Sequence, residues 1–301
     1  MKTIKVLDHG YVKYVAHMGS DESIIEAARM STGRGFVDWD ETQECTRCKL
    51  KMRVQTVIGY RCVDGSENHD WKKGPGDSKL LSFLYANKHM TPFEMCELAI
   101  EVQAPIMVFR EWHRHRTQSY NEFSARYEQM PDLHYLPDAE RIQKQSAANK
   151  QGSGDAHDAM FAHSVVDRLA FQQRDIYESY DKWVNADGVA KEVARLNTPV
   201  SRYSKMRAKT DLRNWLGFLQ LRMAGNAQLE IRQYANAVAE IVKELWPRTF
   251  ALFEEHDLGG VHLSKSEAAL LRDYVEAHTG WHGGELRAMV TSIKKKLGVK
   301  E

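Results

Sequence analysis

Residues 114–127 read RHRTQSYNEFSARY. Arginine is the only permanent cation in this stretch, Glu122 is its single acid, and Ser119, Asn121, Ser124 and two tyrosines fill the gaps. A guanidinium stays charged at physiological pH and presents a fixed fork of donors. Arginines set among hydroxyls and amides therefore suit two-pronged grips on phosphate or carboxylate. A charge run made for solubility mixes signs and includes lysine; the competing reading is a solvated basic face or a nucleic-acid patch. Cysteine offers a second chemistry. Two residues separate Cys45 from Cys48, with Cys62 and His69 downstream. Such a pair can place two thiolates on one tetrahedral ion, which makes Cys45, Cys48, Cys62 and His69 a candidate zinc knuckle. Because Cys62 and His69 stand alone rather than as a second close pair, a plain insertion with buried thiols is the alternative.

The elements around the arginine cluster must position it. Upstream, Cys96, Leu98, Ile100 and Val102 alternate with Glu97, Ala99, Glu101 and Gln103, which predicts a strand over 96–104 with one buried face. Pro105 is suited to a first helical turn, and Ile106, Phe109, Trp112 and His113 recur at helical spacing. The cluster thus begins where a short amphipathic helix ends, and it runs as an irregular segment to Pro131. Backbone leaving a helix inside a polar, arginine-rich stretch suits ligand binding.

Elsewhere, Tyr11–Met18 reads as a first strand, and Ser20 or Asp21 as the cap of a helix through Ile24, Ile25 and Ala28. Asp77 or Ser78 is placed to cap a helix carrying Leu80, Leu81 and Leu84. The polar run 141–155 reads as a flexible loop or linker. Helices follow over about 156–186, 190–196, around Leu212 to Met223, and over 227–246, the last ended by Pro247. Few strands and many helices indicate an α+β chain with a sheet covered by helices.

The order Arg114-His115-Arg116, Ser119, Asn121, Ser124, Arg126-Tyr127 resembles the defining motif of the flavin-dependent thymidylate synthases. HMTPFE at His89–Glu94 resembles a second segment of that family. The EVAR that ends at Arg195, followed by Pro199, resembles a third, and FLQLR ending at Arg222 with AQLEIRQYA after it resembles a fourth. The similarity covers roughly residues 1–37 and 77–256. Those limits make 1–256 one catalytic domain with an inserted segment at 38–76, and 257–301 a helical C-terminal extension.

The resemblance implies a central, mostly antiparallel sheet flanked by long helices, and a homotetramer whose sites draw on several subunits. It implies reductive methylation of dUMP to dTMP, with 5,10-methylenetetrahydrofolate as carbon donor and NADPH as reductant through FAD. By the same resemblance, dUMP falls to Glu111, Arg114, Glu122, Ser124, Ala125, Arg126, Arg195 and Arg222. FAD falls to Thr91, Arg114, His115, Arg116, Glu122, Asp211 and Arg213, with His89 on the folate or nicotinamide side. Arg222 is the expected catalytic group, since a fixed guanidinium beside O2 and N3 stabilises negative charge gathering on a uracil ring. Ser124 is not expected to act as a nucleophile, because no base-and-orienter arrangement is evident beside it. Two positions depart from the pattern of many relatives: Glu111 stands where some have glutamine, and Gly217 where asparagine or histidine often meets the flavin.

Composition sets outer bounds. With 301 residues, 43% hydrophobic and 28% charged, the chain is an ordinary globular protein with ample core. A net charge of +1 supplies no global field to recruit DNA or a membrane, so anion affinity must be local. No apolar run approaches a membrane span, MKTIKVLDHG lacks the apolar core of a secretory signal, and four cysteines suggest no disulfide scaffold. A cytoplasmic setting, or a host's cytoplasm if the source is viral, is the expectation. An RNA- or DNA-binding module with the arginines as phosphate clamp, and a nucleotide-binding relative without turnover, are the other classes to separate.

Overall fold

The computed structural model describes residues 2–53, 62, 69–147, 150, 152–277 and 293. The chain divides into two compact units, Met1–Phe253 and Glu254–Glu301.

In the first unit, β1 (Thr3–Val6) and β2 (Gly10–Met18) form a hairpin whose turn needs special backbone. Leu7 is left-handed (φ 57°), and a Cβ on Gly10 would sit 1.9 Å from the Tyr234 hydroxyl. Ser20 caps α1 (Asp21–Arg29) in a capping box with Ser23. Three short strands follow, β3 (Glu41–Cys45), β4 (Lys51–Arg53) and β5 (Trp71–Pro75), which make their own sheet in the order β4-β3-β5. Then come α2 (Asp77–Ala86), a 3-10 turn at Thr91–Met95, β6 (Glu97–Pro105), α3 (Ile106–Trp112) and β7 (Ser119–Glu122). A polar hairpin of β8 (Gln143–Gln145) and β9 (Ser153–Ala156) leads to the long α4 (Ala159–Asn185) and the short α5 (Lys191–Ala194). The unit closes with β10 (Tyr203–Asp211), α6 (Leu212–Arg222), α7 (Leu229–Leu245) and α8 (Pro247–Phe253). In the second unit, a π-turn at Glu254–Leu258 precedes α9 (Lys265–Ala277).

The central sheet is antiparallel throughout, in the order β1-β2-β6-β10-β7. β10 pairs with β6 along its full length, from Tyr203 opposite Pro105 to Asp211 opposite Glu97. One sheet face buries Val12, Leu98, Ile100, Val102, Met206 and Ala208 in a core shared with α3, α6 and α7. Large aromatics fill that core: Trp112 lies 4.6 Å from Phe218 and edge-on to Trp215, and Tyr234 donates to the Gln103 carbonyl. Two of the buried indoles find partners, Trp112 in Gln118 and Trp215 in the Leu98 carbonyl.

Several expectations need correction. The first strand is β1, ahead of Tyr11. The segment after α3 is not wholly irregular, because Ser119–Glu122 joins the sheet edge against β10. The run 141–155 holds the β8–β9 hairpin rather than a free loop; residues 148, 149 and 151 lie outside the described set. Asp77 is the first residue of α2 and Gly76 its cap, and Pro247 starts α8 besides ending α7. Among the described residues of 38–76, three short strands form a sheet of their own. No helix among the described residues is long and apolar enough to cross a membrane.

Asp77 ties the insertion to the helices. Its buried carboxylate pairs with Arg29 of α1 and Lys51 of β4, and it accepts the Val37 N–H at 2.8 Å. Burial opposes the charge, but the Val37 N–H, Arg29 and Lys51 outweigh it and hold the carboxyl below the usual range. Its stabilisation is therefore present above the ordinary carboxylate range and lost as pH falls through the lowered folded value. Asp77→Ala leaves two buried cations uncompensated and is expected to cost about 3–5 kcal/mol in urea unfolding at neutral pH. A cost near zero would mean the network carries no stability.

Candidate active site

α3 and α6 present their C-terminal ends to each other, and the joint is polar. Arg222, the last residue of α6, donates from Nη1 to the Glu111 carboxylate (3.0 Å), from Nη2 to the Glu111 carbonyl (3.0 Å) and from Nε to His115 Nε2 (2.9 Å). A cation on a last-turn carbonyl of α3 also suits the helix dipole. Because His115 accepts at Nε2, its proton sits on Nδ1 and the ring is neutral. Burial, with the Arg222 charge beside it, pulls the His115 imidazolium down to about 4. Burial also pushes the Glu111 carboxyl up, and Arg222 opposes that shift. The Phe218 ring packs edge-on against His115 at 4.9 Å. Arg222 is thus a half-buried, three-bond anchor and not a surface arginine.

A separate cavity of about 290 Å³ is lined by Arg110, Glu122, Ala125, Arg195, Thr198 and Ser204, among others. Ser204 holds Glu122 at 2.8 Å. Beside it, the Arg126 N–H bonds the Ser124 hydroxyl (3.3 Å) while its guanidinium pairs with Glu192 of α5 at 3.0 Å. That pair is more than half exposed on the arginine's side and so is worth about 0–1 kcal/mol. An incoming dianion can displace it cheaply. Among the described residues no imidazole or carboxylate bonds the Ser124 hydroxyl. A larger hollow of about 420 Å³, lined by Arg141, Asn226, Gln228 and Arg232, draws on the AQLEIRQYA segment but holds none of the residues expected to meet dUMP or FAD.

Of the expected flavin residues, His115 and Glu122 belong to the two groups above, and the others lie outside them. Arg213 is ion-paired with Glu94 of the HMTPFE segment, and Asp211 caps α6 by accepting from Asn214. Thr91 is exposed on the 3-10 turn, and His89 is exposed with its ring edge-on to Phe83. A Cβ on Gly217 would meet nothing within 4 Å, so this departure opens space. Arg114 and Arg116 are exposed. Among the described residues the side chains of Arg110, Arg114, Arg116 and Arg195 have no acidic or hydrogen-bonding partner, whereas Arg126, Arg213 and Arg222 each have a carboxylate.

Within one chain, the cavity gathers Glu122, Ala125 and Arg195, with Arg126 close by through Glu192. Arg222, Glu111 and His115 form their own cluster and do not line that cavity. Cys45, Cys48, Cys62 and His69 come together in the insertion. Sequence reasoning missed Arg110 in the cavity wall and Glu192 as the partner of Arg126. A lone exposed arginine within the apolar turns of α3 was the available signal for the first.

Residues 13–248 match the family model described as thymidylate synthase complementing protein. The flavin-dependent thymidylate synthase of Wolbachia pipientis wMel is 35% identical over 272 residues, covering 90% of this chain and 83% of that one. That of Gluconobacter oxydans is 36% identical over 277 residues, covering 91% and 80%. Among solved structures, the UMP/dUMP methylase PolB from Streptomyces cacaoi bound with 5-Br UMP superposes with a TM-score of 0.63 at 26% identity, over 84% of this chain and 97% of that one. The chain belongs to the flavin-dependent thymidylate synthase family.

The His115 geometry carries a direct expectation. Its ring resonances should titrate near pH 4, and in Arg222→Gln the midpoint should rise toward the ordinary 6.5. Because the unfolded chain takes up this proton first, stability should climb as pH rises between about 4 and 6.5. An NMR midpoint near 6.5 in the unaltered protein would contradict the arrangement.

Proposed function

We propose that this protein methylates dUMP to dTMP reductively, taking carbon from 5,10-methylenetetrahydrofolate and electrons from NADPH through FAD, in a homotetramer with shared sites. The observation that carries the proposal is the set of uncommitted guanidiniums, Arg110, Arg114, Arg116 and Arg195, on a chain of net charge only +1. Four unpaired cations on one small scaffold repel one another, and dianionic nucleotide, pyrophosphate and folate carboxylates would relieve that repulsion. Family membership and the PolB structures bound with 5-Br UMP and 5-Br dUMP support the choice of a pyrimidine nucleotide.

The donor set suits FAD: Arg114 and Arg116 are free to face a pyrophosphate, Thr91 is exposed, and Gly217 leaves room. Bound FAD would supply electron carriage from NADPH. The protein's own part is positioning and charge. Arg195, Arg126 and Ser124 would hold the dUMP phosphate, the first beside Arg110 and Glu122 in the cavity wall. Arg222 and Glu111 would meet the uracil edge, the guanidinium stabilising charge at O2 and N3 so that C5 becomes nucleophilic. Neutral His115 would keep that guanidinium aimed without adding a competing charge. Since Arg222 lines no part of the cavity in one chain, the phosphate and uracil subsites would be completed between neighbouring subunits.

The purified protein should be yellow, bleach with NADPH and dUMP, and release tritium from dUMP labelled at C5. Arg222→Ala should lower dTMP formation by about 10²–10³-fold, as for loss of one preorganised donor. Ser124→Ala should retain readily measured turnover. A colourless protein that binds nucleic acid in a salt-sensitive way, or the reverse ranking of the two variants, would overturn the proposal.

A further inference from the structure

The insertion carries chemistry that the nucleotide site does not use. We propose that Cys45, Cys48, Cys62 and His69 bind one zinc ion in a closed, structural site that serves as the core of the β4-β3-β5 sheet.

The donor atoms of these four residues all lie within 4.8 Å of one another. Cys45 Sγ is 3.8 Å from Cys62 Sγ, and Cys48 Sγ is 3.3 Å from His69 Nδ1. Four ligands at about 2.3 Å (sulfur) and 2.0–2.1 Å (nitrogen) around a tetrahedral ion give edges of roughly 3.5–3.8 Å. The Cys45–Cys62 separation is that of such an edge, and the Cys48–His69 separation is slightly shorter than one. A disulfide would need sulfurs about 2.05 Å apart.

The backbone is shaped for the same purpose. Cys45 ends β3, and the chain turns through Thr46–Lys49, with the Lys49 N–H bonded to the Cys45 carbonyl (3.0 Å) and Lys49 left-handed at φ 61°. That turn aims the N–H groups of Arg47 and Cys48 at the Cys45 sulfur, where they would stabilise a thiolate. His69 is braced as well. Asp70, next to His69, takes the Thr46 N–H on its carbonyl (2.9 Å) and the Thr46 hydroxyl on its carboxylate (2.6 Å). Trp71, opposite Cys45 in the ladder, lays its ring against His69 at 4.7 Å. Ligand orientation is thus fixed by neighbours, as metal sites require.

Among its described residues the sheet builds no other interior. Among the described residues of 38–76, only Thr42, Cys45, Cys62 and Gly76 are buried. Segments without an apolar core commonly use a metal in its place. Four protein ligands leave no open coordination position, so the ion organises structure and performs no hydrolysis. Its consequence reaches the main unit through β4, which delivers Lys51 to Asp77.

Elemental analysis of the full-length protein, purified without added metal and desalted, should give about one zinc per chain, independent of its flavin content. Replacing zinc with Co²⁺ should produce ligand-field bands to the red of the flavin absorption, typical of tetrahedral thiolate coordination. Cys62→Ser should bring the zinc ratio toward zero or give insoluble protein, while His69→Cys, which preserves a fourth ligand, should keep zinc. Reduced, soluble native protein that holds no zinc, takes up no cobalt and exposes freely reacting thiols would overturn the proposal, as would a Cys45–Cys62 disulfide found by mass spectrometry.

Discussion

Arg222 joins the ends of two helices, and the arginine segment starts at that joint. By bonding both the carboxylate and the carbonyl of Glu111, and then His115, one guanidinium fixes the last turn of α3 and the first residues beyond it. Arg114 and Arg116 flank His115, so they leave the core along a path with little freedom. Their exposure follows from what their neighbours are bound to. A flexible loop would let such cations find surface acids instead, and the chain has almost as many acids as bases to offer.

Charge is distributed unequally around this anchor. Several cations that hold structure are paired with acids: Arg29 with Asp77, Arg141 with Glu230, Arg222 with Glu111. Across the sheet, Lys209 pairs with Glu97 and Arg207 with Glu101. The family motifs, by contrast, contribute arginines left without partners, or, at Arg126, a partner in solvent. Burying an ion pair is costly, so it is used where geometry must be held. An exposed cation left without a partner stays hydrated and available to an incoming anion.

How much of this was legible in the sequence depended on contrast between faces. β6 was readable because Leu98, Ile100 and Val102 alternate with polar residues. β10 has the same alternation, yet its inward residues Met206, Ala208 and Thr210 are small or weakly apolar, and its outward Lys205, Arg207 and Lys209 dominate the pattern. The β8–β9 hairpin shows no buried residue at all, so nothing periodic could announce it. The arginine motifs were legible as chemistry, but their grouping was not. That Arg222 turns toward Glu111 while Arg195 lines a different cavity is decided by where α6 ends, which depends on tertiary packing. Cys45, Cys48, Cys62 and His69 were legible as a candidate metal set, but the pairing of β3 with β5 that helps gather them was not.

The central claim is that the open guanidiniums exist to read a nucleotide phosphate. Equilibrium binding of dUMP and of deoxyuridine, which lacks only the phosphate, tests it directly in the native protein and in Arg195→Gln. The account predicts that native protein prefers dUMP strongly and that Arg195→Gln loses about 10–100-fold of that preference, the worth of one charge-assisted contact, with deoxyuridine binding unchanged. Equal affinity for the two ligands, or a preference that Arg195→Gln leaves intact, would contradict it.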